Sequence, residues 1–384
     1  MSDGIEELSA RLSRTTPVIT ALDGIVDALR PYLGVDAPVE DVVRFLPEGG
    51  SLSGLLRALS PALDLDDGAG HLPLARHGST TAAQVASAEA IATGARYGAV
   101  VVVDDFGDTL DAASAQRLAS LLRRQPGQVW LSTRRPETAR SFEANELVRL
   151  TRAQPGATPS RRVHYGNVAS TKAERVAARE LHRQVLPAMT ARALLIGEGP
   201  HDAAAYGALA ERLESDRATL PPDAYGITII DAGSTDGGID KVARVAELAR
   251  GLGFRVVALV DYDNDEALAA SRLAAVQAAA DAVVRLPKGK AIEAAILDGV
   301  PDEEIISALR DLNQAYQLPL PTGWQSLTGV ALADPTSKAL KSNNGLHAPF
   351  IHALPATLPT LACDALRDAI DCARGVRIDA LVQL

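Results

Sequence analysis

The chain has 384 residues, of which 47% are hydrophobic and only 4% aromatic. That is enough for two or three domains with aliphatic cores. A formal net charge of −10 argues against a protein that coats polyanions generally, but not against a local basic groove beside an acidic site. No apolar run approaches the ~18 residues needed to cross a bilayer. The start, Met1-Ser2-Asp3-Gly4, lacks the character of a signal peptide, so a cytoplasmic protein without membrane contact is expected. Cys363 and Cys372 fit no zinc spacing and are expected to be free, buried thiols.

Along the chain, residues 1–70 are expected to be helical, with Leu8, Leu12, Ile19, Leu22, Ile25, Val26, Leu29 and Leu33 at roughly helical spacing. An Ala-rich helix is predicted over about 82–93. A buried strand at 98–103, a helix at 112–124 and a strand at 128–132 follow. Residues 71–152 thus form half of an α/β domain. Residues 152–168, rich in Pro, Gly and Arg, read as a linker, and a charged amphipathic helix is predicted from 170 to 189. Next come strand 192–196, helix 202–215, strand 226–231, helix 239–251, strand 255–260, helix 265–280 and strand 282–286. This alternation predicts a parallel sheet. The remainder, 301–384, reads as helical. The expected organisation is therefore 1–70, 71–152, 153–189, 190–300 and 301–384.

Two apolar runs end in acidic groups: Leu194-Leu195-Ile196-Gly197-Glu198-Gly199-Pro200-His201-Asp202, and Val256-Val257-Ala258-Leu259-Val260-Asp261-Tyr262-Asp263. Ligands collect at the carboxyl ends of parallel strands. Carboxylates converging there repel one another unless a cation intervenes. Hard oxygen donors suit Mg²⁺ or Mn²⁺, and metal-assisted phosphoryl chemistry is the first expectation. Asp261 and Asp263 face the same side if the backbone stays extended. The alternative for Glu198 and Asp202 is a pair of helix-start carboxylates favoured by the helix dipole. Asp265 reads first as a helix cap and second as a further ligand. Gly233-Ser234-Thr235-Asp236-Gly237-Gly238 is either a phosphate cradle or a plain turn.

The order Glu198, Asp202, Asp261, Asp263 on such a sheet resembles the Toprim domain of topoisomerases, bacterial primases and several nucleases, over about residues 190–300. Within that group, Glu293 resembles the late glutamate of the OLD-type (overcoming lysogenisation defect) nucleases, although Ala291 stands where those usually carry a hydroxyl residue. The resemblance implies a catalytic lysine farther on, assigned to Lys341 ahead of Lys338. It implies two metals, with Glu198, Asp202 and Glu293 on the first and Asp261 and Asp263 on the second, and Glu198 helping to activate water.

Val100-Val101-Val102-Val103-Asp104-Asp105-Phe106-Gly107-Asp108-Thr109-Leu110-Asp111 resembles the Walker B and D-loop of ABC-type ATPases. Arg76-His77-Gly78-Ser79-Thr80-Thr81 looks like a divergent ABC signature, and Arg134 falls in the switch position. The resemblance implies a degenerate nucleotide site at Ser79, Asp104, Asp105, Asp111 and Arg134. No G-x-x-x-x-G-K-[ST] loop is present, so this chain alone is not expected to hydrolyse ATP. The missing loop is explained by a longer parent protein, by a P-loop-bearing partner subunit, or by decay into a platform.

The combined order, a partial ABC-ATPase-like lobe, a Toprim domain and a helical C-terminal region, resembles the OLD family of ATP-linked endonucleases. The expected function is metal-dependent DNA cleavage by a homodimer or higher homo-oligomer, with a role in phage defence implied by the resemblance only. DNA is expected to lie along basic groups such as Arg285, Lys288 and Lys290. The alternative is a weak or inactive regulatory subunit of an ATP-dependent complex.

Overall fold

The computed structural model describes residues 14–33, 42–47, 59–65, 68–97, 100–124, 127–152, 161–165, 181–216, 220–233, 238–262, 266–342 and 345–384, with residues 7, 11, 38 and 171 singly. The chain divides into two compact units, Met1–Phe142 and Glu143–Leu384.

In the first unit, helix α1 (Thr16–Leu33) is followed by an antiparallel sheet of β1 (Val43–Pro47), β2 (Leu59–Leu63) and β3 (Leu72–Pro73). The N-terminal region, expected to be helical, thus holds a helix and a small antiparallel sheet among the described residues. Buried Val42, Val43 and Leu63 pack with Val26 of α1, so helix and sheet share one small core. Helix α2 (Ser79–Tyr97), β4 (Val100–Val103), α3 (Ala112–Arg123), β5 (Gln128–Leu131) and the short α4 (Pro136–Ala139) complete the unit.

Strands β4 and β5 pair in parallel, but the four-valine run, read as a buried strand, is not buried as a whole. Val101 is covered by Ile91, Leu118 and Leu122, whereas Val100 and Val102 are 61% and 74% exposed, and Trp130 of β5 is 56% exposed. Alternate strand residues face opposite sides. Among the described residues only one side of this two-stranded sheet is covered, and the sequence run shows no trace of the difference.

The second unit opens on a hairpin. Strands β6 (Val148–Arg152) and β7 (Arg161–Tyr165) pair antiparallel, so residues 152 and 161–165 of the segment read as a linker are strand. Arg149 ties β6 down. Its guanidinium donates to the carbonyls of Met189 at 3.3 Å, Ala191 at 2.6 Å and Leu252 at 2.8 Å, and lies over the Phe254 ring. The predicted helix 170–189 falls largely outside the described residues; its last part is one π-helical turn, Leu181–Val185, and a 3₁₀ turn, Leu186–Ala188.

The body alternates β8 (Ala193–Gly197), α5 (Pro200–Ser215), β9 (Ile227–Asp231), α6 (Ile239–Gly251), β10 (Arg255–Val260), α7 (Glu266–Ala279) and β11 (Ala282–Arg285). These are the expected elements within a few residues. Helices α8 (Ile292–Ala295), α9 (Asp302–Tyr316), α10 (Val330–Ser342), α11 (His347–Ala353) and α12 (Thr360–Arg374) follow. The region read as helical ends on a strand, β12 (Leu381–Gln383), which joins the sheet beside β11. Three residues are too short to give a period.

The sheet is parallel throughout, in the order β12-β11-β10-β8-β9. It is covered on both faces. Leu195, Val257, Leu259 and Val284 point into one core with residues of α5, α9 and α12, and Leu194, Ile196, Val256, Ala258, Val260 and Val283 point into another with residues of α6 and α7. From β8 the chain leaves toward β9 on one side, and from β10 toward β11 on the other. The carboxyl ends of β8 and β10 therefore flank a switch point, where an open crevice forms.

Candidate metal centre

Glu198 follows β8 and Asp261 follows β10, so the switch point holds one acidic group from each central strand. The two are joined directly: Glu198 Oε1 accepts a 2.9 Å hydrogen bond from the Asp261 backbone N–H. Asp202 stands in the first turn of α5, where its Oδ2 accepts from the Gly199 N–H at 2.6 Å and caps the helix. Its Cβ lies so close to Gly197 that a Cβ on that glycine would stand 2.8 Å away. The glycine thus lets the helix start fold back over the strand end. Glu293, in α8, completes the group, and the Asp261 carboxylate accepts a long 3.4 Å bond from the Ile292 N–H beside it.

Electrostatics mark this cluster as short of positive charge. Burial raises the Asp202 carboxyl to about 6, and Glu293 pushes it the same way. Burial, then Asp202, Glu198 and Glu293, hold the Asp261 carboxyl well above its ordinary range. Tyr206 is fully buried one turn beyond Asp202, and its phenol is raised by burial and by Asp261, Asp202 and Glu198. Glu293 behaves differently. Burial would raise it, but His347, its own backbone N–H and Lys341 hold it below its usual value.

A lysine ammonium and a histidine ring from the C-terminal helices reach Glu293. Lys341 Nζ, on an exposed side chain at the end of α10, is 4.0 Å from Oε1. His347 Nε2, fully buried at the start of α11, is 3.5 Å from the same oxygen. The His201 ring stacks on His347 with centroids 4.7 Å apart.

The structure thus brings together Glu198, Asp202, Asp261, Glu293 and Lys341, which sequence reading had nominated. Asp263 and Asp265 lie outside the described residues. Lys338 is exposed on α10. Sequence reading missed His347, Tyr206 and the stacking of His201 on His347. Tyr206 could have been found from its position four residues after Asp202 on one helix face. His347 had no such signal.

Arg285, nominated for DNA, lies over the Tyr262 ring and donates to Gln383 at 3.1 Å. The Gly233 N–H donates to Asp231, and residues 234–237 lie outside the described ones.

Four of the five residues nominated for nucleotide binding, Asp104, Asp105, Asp111 and Arg134, have local partners within the first unit. Asp111 caps α3, accepting from the Ser114 N–H at 2.9 Å, and this interaction with Ser114 holds its carboxyl below the ordinary value. Arg134 pairs with Asp108. Asp104 accepts from the Ser132 hydroxyl, and the Asp105 N–H donates to Ser132 Oγ at 2.9 Å. Asp105 takes a left-handed φ of 48°, a conformation that costs a non-glycine residue ~1–2 kcal/mol. Ser79 is exposed at the start of α2.

Residues 189–263 match the family model described as the Overcoming lysogenization defect protein-like TOPRIM domain. No curated protein matches the chain. The matched Toprim segment spans β8 to the Asp261 loop, and so contains Glu198, Asp202 and Asp261. Glu293, Lys341 and His347 come from beyond it. A Toprim domain of this kind points to nuclease-type chemistry and to a divalent metal.

Among the described residues, no three His, Cys, Asp or Glu side chains converge as a ready ligand cage. The donor set nevertheless fits a hard divalent cation. Its oxygens are carboxylates, and Asp202 and Asp261 are both raised by burial and by their acidic neighbours, so the site favours added positive charge.

Proposed function

We propose that the second unit is a metal-dependent nuclease that hydrolyses DNA phosphodiester bonds with Mg²⁺ or Mn²⁺ at the switch point. The observation that carries this reading is the shared acidic field of Glu198, Asp202, Asp261 and Glu293 at the ends of two central parallel strands. Glu198, Asp202 and Glu293 would hold one metal, and Asp261, with Asp263, the second. When bound, the pair supplies Lewis-acid activation of water and relief of charge on the leaving oxygen.

The chain's own residues do the rest. Glu198 is anchored through Oε1 by the Asp261 N–H, so its remaining oxygen is oriented to accept a proton from an attacking water. Lys341 is long and exposed, and its ammonium can swing from Glu293 toward the phosphate to offset charge in the pentacoordinate state. DNA binding by the basic loop 285–290, a homo-oligomeric assembly, nucleotide coupling through a P-loop partner, and a role in phage defence all belong to this proposal.

The test is nicking of supercoiled plasmid by the full chain, with Mg²⁺ and Mn²⁺ separately. Metal-dependent nicking that disappears in Asp261→Asn supports the reading. A chain that binds metal and DNA without cutting would select the regulatory-subunit alternative instead.

A further inference from the structure

His347 is an ionisable side chain with no solvent exposure, and among the described residues neither ring nitrogen has a hydrogen-bond partner closer than the 3.5 Å contact to Glu293. A buried polar group left in that state costs ~1–3 kcal/mol, so its retention calls for a reason. The ring is also held in place. His201 stacks on it at 4.7 Å, and Phe350 and Ile351 of the same helix are fully buried around the turn that presents it. Glu293 is itself buried, and Lys341 approaches it from the exposed side. The carboxylate is thus bracketed by an exposed ammonium on the solvent side and a buried imidazole from the interior.

We propose that His347 is the positioning residue for Glu293, holding Oε1 from inside the protein so that the other oxygen is fixed for a divalent cation. The proposal rests on the metal-centre reading above and goes beyond it by adding a residue from outside the matched Toprim segment. A donor behind a ligating carboxylate restricts its rotation and sharpens its direction. Closing the 3.5 Å gap by a few tenths of an ångström would complete the bond. The His201 stack gives α5, which carries Asp202, and α11, which carries His347, one shared contact. The two protein sides of the first metal position are thereby set in register.

The experiment is titration of Mn²⁺ alone into the full chain, with free Mn²⁺ followed by electron paramagnetic resonance. His347→Leu removes the donor and is expected to weaken Mn²⁺ binding 10–100-fold. His347→Asn, too short to reach the carboxylate, is expected to do the same and serves if the leucine variant fails to fold. His347→Gln keeps an N–H near the place of Nε2 and is expected to restore affinity to within about threefold of the wild type. In a Glu293→Gln background, His347→Leu is expected to cost nothing further, because the histidine acts only through that carboxylate.

Wild-type affinity in both His347→Leu and His347→Asn overturns the proposal while leaving the metal centre standing. An additive loss in the Glu293→Gln background overturns it too, as a general packing role would give that result. A wild-type chain that binds no Mn²⁺ overturns the metal-centre reading and this inference with it.

Discussion

Replacing Asp202 by asparagine is expected to make the metal-free protein more stable and to destroy its response to metal. The Asp202 carboxyl is raised from 3.8 to about 6 by burial and by Glu293. At about 1.4 kcal/mol per pH unit, ionising it at pH 7.5 costs ~3 kcal/mol of folding free energy. Asparagine is nearly isosteric, and its carbonyl oxygen can still accept from the Gly199 N–H, so the cap of α5 survives. Part of the relief is offset by burying an amide, and the expected gain is ~1–3 kcal/mol.

The assay is urea unfolding in EDTA. Of the two tryptophans, Trp130 lies in the first unit and Trp324 in the core of the second. A Trp130→Phe background therefore lets fluorescence report the second unit. Metal at a hundred times its dissociation constant should stabilise the wild type by ~2.7 kcal/mol and the Asp202→Asn variant by less than ~1 kcal/mol. An Asp202→Asn variant less stable than wild type in EDTA would refute the argument that this carboxylate sits in uncompensated negative potential.

Further outcomes follow from the same geometry. The linkage sign for Asp202 is that of an acid raised in the folded state: its contribution to metal-free stability is complete below pH ~4 and lost as pH rises through about 6. Metal affinity runs the other way, falling about tenfold per pH unit below 6 as protons compete, which calorimetry between pH 5 and 8 would measure. Gly197→Ala places a Cβ 2.8 Å from that of Asp202 and should cost ~1–3 kcal/mol, with weaker Mn²⁺ binding from the displaced carboxylate; unchanged affinity would argue that Asp202 is not a ligand. Lys341→Met should lower kcat for plasmid cleavage by ~10²-fold while leaving Mn²⁺ affinity within about threefold, since the ammonium reaches Glu293 only at 4.0 Å and from solvent. Arg149→Met leaves three carbonyls without their donor and should destabilise the second unit by ~3 kcal/mol, read by the same Trp324 fluorescence.

The second sheet was legible because long apolar runs alternate with Ala- and Leu-rich helices, and its acidic groups sit where the runs stop. Glu198, Asp202 and Asp261 could be nominated for that reason. The N-terminal strands were not legible: β1 and β2 are five residues each, too short to give a clear alternating pattern. The exposure of Val100 and Val102 was hidden because a run of valines reads alike whether one face or both are covered. His347 was beyond reach for a different reason. It meets Glu293 in a tertiary contact across more than fifty residues that no local spacing encodes. Asp111 shows the converse case, an acidic residue at a position of functional resemblance whose side chain is engaged as a helix cap.

The central claim is that a divalent cation belongs among Glu198, Asp202, Asp261 and Glu293. Anomalous X-ray scattering from crystals of the full chain grown with Mn²⁺ tests it most directly. The account predicts a Mn²⁺ peak within ligating distance of Asp202, Asp261 or Glu293 that is lost in Asp261→Asn. Mn²⁺ peaks found only elsewhere on the surface, with these four carboxylates unligated, would contradict it.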